Sequence, residues 1–215
     1  VVALASHLEL ARATGARLHV CRVSTADSVA MIRDAKARGV AVTADVSINH
    51  LHLIDIDIGH YDSNFRLSPP LRTARDRDAL RSGVIDGTID AVVSDHTPRP
   101  DDAKQLPFAE AAPGASGLEV LLSLVLRLAE TSRVPLTDAL GWITHRAAAA
   151  AGLPAGRIAA DLPADICVFD AGAYRLITRA GLRSAGKNSP FVGYELPGVV
   201  RATIAGGHVA YEATA

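Results

Sequence analysis

The sequence predicts an α/β protein with a parallel sheet, followed by a small all-β tail. Three observations carry this reading. In the first part of the chain, apolar segments of strand length alternate with segments of helical period, and strands separated by helices pair in parallel. One such strand, residues 89–95, places Ile89, Ala91 and Val93 on one face by the two-residue period and ends in the carboxylate of Asp95; Pro98 and Pro100 then stop the ladder. From Gly156 onward the texture changes to short β-type runs, 166–169 and 199–204, separated by Gly, Pro and Asn. The division is set accordingly, with residues 1–155 forming part of a parallel α/β domain and residues 156–215 a small all-β region.

Each element has a local cause. Leu4, Leu8 and Ala11 recur at helical spacing and Gly15 closes that helix near Thr14. Residues 17–23 alternate as a strand, with Leu18, Val20 and Arg22 on one face and His19, Cys21 and Val23 on the other. Thr25 is a good N-cap for a helix that carries Val29, Ile32 and Ala35 and stops at Gly39. Residues 40–46 form the next strand, with Asp45 at its end. The stretch 48–71 has no clean period and is expected to be a long surface loop. A charged helix follows over 73–82 with Gly83 behind it, then the strand that ends at Asp95. A loop of about twenty residues leads to Gly117, long enough to suggest function or an interface. Ser116 and Glu119 are expected to form a capping box, ahead of an apolar stripe of Leu118, Leu121, Leu122, Val125 and Leu128. One more helix is expected over 137–151, stopped by Gly152 and Pro154.

Composition narrows the function classes. Of 215 residues 49% are hydrophobic and 21% charged, enough for one sizeable core. The net charge of -1 and the 4% aromatic content give neither an electrostatic footprint nor a stacking platform for nucleic acid. Apolar runs fall far short of the roughly 18 residues of a membrane span, and no signal peptide opens the chain, so neither membrane nor secretion is expected and a cytoplasmic location is. Cys21 and Cys167 lie in apolar strand patterns and read as small core hydrophobes. Three strand–helix units are under half of an eight-stranded barrel of ~250 residues, so the chain reads as a piece of a longer protein.

Four stretches together resemble the dihydroorotases, cyclic-amide hydrolases of the amidohydrolase superfamily: Leu18-His-Val-Cys-Arg-Val-Ser-Thr25, Thr43-Ala-Asp-Val-Ser-Ile-Asn-His-Leu51, Arg66-Leu-Ser-Pro-Pro-Leu-Arg72 and Val93-Ser-Asp-His-Thr-Pro98. Gly114-Ala-Ser-Gly-Leu-Glu119, Ala164-Asp165 and Asn188-Ser-Pro-Phe191 continue the match in order. The resemblance implies the C-terminal portion of a (β/α)8 TIM barrel, about strands six to eight, with a β-sandwich subdomain completed by the tail. It also implies zinc at the C-terminal mouth, and Asp95 matches the acid of strand eight that serves as general base. Position 22 should supply the strand-six His ligand and holds Arg22. A guanidinium has five donors, no lone pair to give and a pKa too high to lose its proton, so it cannot ligate zinc.

Other family positions depart as well. Ser68 stands for a substrate-binding Asn, Arg99 for a His, Asp45 for a Glu, and Ile48-Asn49-His50-Leu51 for Pro-His-His-Leu; Gly114 is retained. Arg22, Asp45 and Asp101-Asp-Ala-Lys104 resemble a dihydroorotase-like branch that no longer hydrolyses substrate but holds together aspartate carbamoyltransferase. For that branch a homo- or hetero-oligomer and no cofactor are expected. The alternative is an active zinc hydrolase of the dihydroorotase, hydantoin or allantoin type, and a stand-alone binding domain is a third reading.

Several residues carry blander expectations. His19 should be a core histidine bonded to a backbone carbonyl, His50 and His52 solvated or packing residues of a loop, and His96 a residue that orients the loop after Asp95. Asp101, Asp102 and Lys104 read as a solvated loop face or a subunit contact. Trp142 and residues 147–151 suit a closely packed helix. Arg22 is expected to pair with Asp95 as a buried ion pair.

Overall fold

The computed structural model describes residues 1–213. In chain order these form α1 (Val2–Thr14), β1 (Leu18–Val20), α2 (Ala26–Ala37), β2 (Val42–Ser47), α3 (Ile48–His52), α4 (Ala74–Ile85), β3 (Ala91–Val93), α5 (Leu121–Ser132), α6 (Leu136–Ile143), α7 (His145–Ala151), β4 (Ile166–Leu176), β5 (Glu195–Ala205) and β6 (His208–Glu212). The first three strands make a parallel sheet in the order β1-β2-β3, with His19 opposite Thr43 and Asp45 opposite Ala91. The last three make an antiparallel sheet in the order β4-β5-β6. Among the described residues no helix is long and apolar enough to cross a membrane.

The signals behind the α/β layer hold at the level of single bonds. Gly15 closes α1 in the left-handed conformation at φ 70°. The Thr25 hydroxyl accepts from the Ser28 N–H, and α2 turns Val29, Ile32 and Ala35 inward. Thr73 and Asp76 form a reciprocal capping box at the start of α4. Trp142 is buried in α6, and α5 buries Leu124, Val125 and Leu128. The tail sheet is fixed to this layer where α5 meets β5: a Cβ on Gly198 would run into a Leu126 methyl, so glycine permits that approach.

Six expectations are corrected. The stretch 48–71 is not a surface loop throughout, because α3 follows β2 directly and Ile48, Asn49, His50 and Leu51 are buried; five residues are too few for a helical period to show. Gly83 does not end α4 but lies inside it, where a Cβ would meet Val29 Cγ1 at 3.0 Å, so its role is close packing of α4 on α2. Ser116 and Glu119 make no capping box. The Ser116 hydroxyl donates to the Gly186 carbonyl at 2.6 Å, and Glu119 accepts the N–H groups of Arg183 and Ser184, so both tie the tail to the barrel layer. Leu118 is exposed, which moves the buried stripe of α5 toward Leu124 and Leu128. The helix expected over 137–151 breaks at Thr144, which leaves helical geometry at φ -124°, ψ -105°. Cys21 and Cys167 are exposed rather than core residues, since β1 ends at Val20 and β4 is solvent-facing along most of its length.

Candidate functional site

The C-terminal ends of the parallel strands converge on one mouth. Asp95 follows β3 and Arg22 follows β1, and both take left-handed backbone conformations, with φ 48° and 55°. The turn at Arg22 is held from below by Asp45. Its Oδ1 accepts the Arg22 N–H at 2.7 Å, and its carbonyl accepts the Val23 N–H at 2.9 Å. Arg22 Nη1 donates to the Ser68 carbonyl at 2.9 Å and stands 3.5 Å from Asp95 Oδ1. The structure therefore brings Arg22, Ser68 and Asp95 together. The pair is not buried as expected, because the Arg22 side chain is 46% exposed against 12% for Asp95, so water screens it.

Arg99 and Gly114 serve the loop that frames this mouth. Arg99 donates its Nε–H to the Pro113 carbonyl at 3.0 Å and its backbone N–H to Asn188 Oδ1 at 2.8 Å. Gly114 has φ 129°, and a Cβ there would lie 2.6 Å from Thr97 Cγ2, so only glycine fits between the two loop arms. His96 accepts the Leu118 N–H at 3.2 Å, which is the loop-orienting role expected of it. Asn188 was missed as a functional position. Buried at 1% exposure, it accepts from Arg99 and the Ser116 hydroxyl and donates to the carbonyls of Thr97 and Gly114, and so fastens the tail to the loop after Asp95. The signal available for it was the Asn-Ser-Pro-Phe match alone.

Lys104 and His19 differ from expectation, whereas His50 and His52 take the packing role open to them. Lys104 is buried rather than solvated; it donates to the carbonyls of Ser63 and Ala112, and burial, with Arg66 and Arg99 nearby, pulls its pKa down to about 8. His50 sits on α3 and donates to the Pro70 carbonyl at 3.1 Å, and its burial lowers its pKa. His52 donates to the Leu124 carbonyl at 2.9 Å, and desolvation, with Arg81 beside it, brings its pKa to about 3. Neither is a solvated loop residue. His19 is not a core histidine on a carbonyl. It is exposed, with Nε2 2.9 Å from Asp45 Oδ2 and Nδ1 2.7 Å from Thr43 Oγ1.

The residues of the mouth do not fit the zinc ion that the family resemblance implies. The group at the strand-six position is a guanidinium with no lone pair, and its positive charge faces the acid that would be the remaining ligand. What this arrangement can do chemically is hold an anion or close the mouth. It cannot share a cation between positions 22 and 95.

No family model matches the chain. A dihydroorotase-like protein of Pseudomonas aeruginosa is 41% identical over 211 residues, covering 98% of this chain and 50% of the relative. The dihydroorotase of Bacillus caldolyticus is 41% identical over 213 residues, again covering 98% of this chain and 50% of its own. Among solved structures, L-hydantoinase (dihydropyrimidinase) from Arthrobacter aurescens superposes with a TM-score of 0.90 at 27% identity, over 97% of this chain and 48% of that one. The α/β layer is thus the C-terminal part of an amidohydrolase TIM barrel, with the small antiparallel sheet beside it. The chain spans about half the length of the curated relatives it matches, and over that half it is similar to the dihydroorotase-like amidohydrolases.

Proposed function

We propose that the protein containing this chain is a dihydroorotase homologue that does not hydrolyse a cyclic amide and serves as a structural partner of aspartate carbamoyltransferase. The observation that carries the reading is Arg22. Its guanidinium lies 3.5 Å from Asp95 and is anchored on the Ser68 carbonyl, so a fixed cation stands where a ligand lone pair is required. Arg99 adds to this, since its side chain is bound to the Pro113 carbonyl rather than offered as a titratable imidazole. The assembly role is supported by the loops around the mouth, which carry exposed large apolar side chains at Ile56, Tyr61 and Leu106. A cytoplasmic protein is the natural setting for such a role.

Two observations favour the second reading, an active cyclic amidohydrolase with an altered ligand set. The acid at the end of β3 is retained, and relatives named dihydroorotase are 41% identical across nearly the whole chain. Co-expression of the full-length protein with aspartate carbamoyltransferase, followed by size-exclusion chromatography, tests the assembly role. One shared peak is expected. Two separate peaks, with transferase activity indifferent to this protein, would reject it.

A further inference from the structure

We propose that His19, Cys21 and Asp45 form a site for a single divalent cation of borderline softness, zinc(II) or its analogue cobalt(II). Neither the Arg22 side chain nor Asp95 is a ligand, and the site does not depend on what the mouth does. The three ligand atoms lie within 4.8 Å of one another. β1 and β2 run parallel with His19 opposite Thr43, so His19 and Asp45, two residues beyond Thr43, share one face of the sheet, and Cys21 lies just past the end of β1 with its thiol within reach of both. Tetrahedral bonds of ~2.0–2.3 Å place ligand atoms roughly 3.3–3.8 Å apart, so a modest inward shift of the thiol and an opening of the His19–Asp45 contact complete the set.

The outer contacts are those of a prepared site. Asp45 Oδ1 is held by the Arg22 N–H at 2.7 Å, which leaves Oδ2 for a cation, and His19 Nδ1 is 2.7 Å from Thr43 Oγ1, which leaves Nε2. A hydroxyl both donates and accepts, so Thr43 can accept from Nδ1–H once Nε2 gives its lone pair to the ion. The proton on Nε2 is thereby replaced by the cation, with Nδ1 protonated in its stead, and the Cys21 thiol proton leaves to solvent. Thiolate with imidazole selects zinc-like ions over magnesium or calcium. A cavity of ≈ 370 Å³ lined by His19, Asp45, Ala91, Val93 and Ala147 leaves room for a fourth ligand such as water.

The test is a cobalt(II) titration of the metal-stripped full-length protein under a non-thiol reductant, followed by absorption. One equivalent should produce a sulfur-to-cobalt charge-transfer band in the near ultraviolet together with visible bands of tetrahedral cobalt. A cation held by nitrogen and oxygen alone gives no sulfur band, so any ion elsewhere in the protein is told apart. Cys21→Ser should abolish the sulfur band and weaken binding about tenfold or more, while Cys167→Ser should leave both unchanged. Absence of the band, or a band that survives Cys21→Ser, overturns the proposal. Should the serine variant not fold, the wild type still decides: bound cobalt should slow alkylation of Cys21 relative to Cys167, read by mass spectrometry. Equal rates with and without cobalt would overturn the proposal in the same way.

Discussion

β2 and β4 are built from similar residues and sit in opposite surroundings. Every residue of β2 except Thr43 is buried, whereas β4 buries none outright. The difference lies in neighbours: among the described residues β2 has a strand on each side, while β4 pairs only with β5. For polar groups the consequence is large. Asp45, on β2, is fixed by the Arg22 N–H at 2.7 Å and His19 at 2.9 Å, so its orientation is defined and it can position a turn. Asp170, on β4, meets Arg201 at 3.2 Å with both side chains about half exposed, so water screens the contact. Similar side chains thus do structural work in one sheet and decorate the other.

The sharpest way to break this contrast is truncation. Trp142→Ala or Leu124→Ala, at 1% and 0% exposure, should each cost about 3–5 kcal/mol in denaturant unfolding, while Val209→Ala, at 64% exposure, should stay within about 0.5 kcal/mol. A large loss at Val209 would mean that the tail sheet is covered in the full protein. Next in size, Asp45→Ala should cost about 1–3 kcal/mol, because it strands the Arg22 N–H, whereas Asp170→Ala should leave the unfolding curve where it is.

The third expectation concerns acid. His52 has a folded pKa of about 3, well below the unfolded value of ~6.5, so the unfolded chain takes up the proton first. Its contribution is complete above pH ~6.5 and is lost as the pH falls toward the folded pKa, at about 1.4 kcal/mol per pH unit. Unfolding series at several pH values should show that slope, and His52→Gln should flatten it. Smallest is Arg22→Ala. With the guanidinium half exposed, the loss in melting stability should be within about 1 kcal/mol, and a loss of several would mean that the pair is buried in the complete barrel.

Much of the α/β layer was legible because its signals are local: a Gly at φ 70° after α1, a Thr cap before α2, a small-residue strand that runs to Asp95. What escaped depends on partners far along the chain. Gly83 looked like a stop because sequence does not show Val29 lying against it. Ser116 and Glu119 have the spacing of a capping box, yet their partners lie near residue 185, almost seventy positions away. The alternation that assigned faces to residues 17–23 holds only to Val20, since Arg22 leaves the strand at φ 55°. Within the site, the identities of Arg22, Ser68 and Asp95 and their convergence were legible from the family pattern. The half-open state of the pair, the buried Lys104 and the four bonds of Asn188 were not.

The proposal that the Arg22 mouth does not hydrolyse a cyclic amide is tested by turnover of dihydroorotate and of its ring-opened product by the full-length protein in zinc-supplemented buffer, for the wild type and for Arg22→His. Both should stay at background: the wild type because Arg22 gives no ligand, and the variant because Ser68 and Arg99 remain altered and groups that act as a unit recover little when one is repaired. Turnover by the variant alone would show that Ser68 and Arg99 are tolerated. Turnover by the unmodified protein would contradict the account.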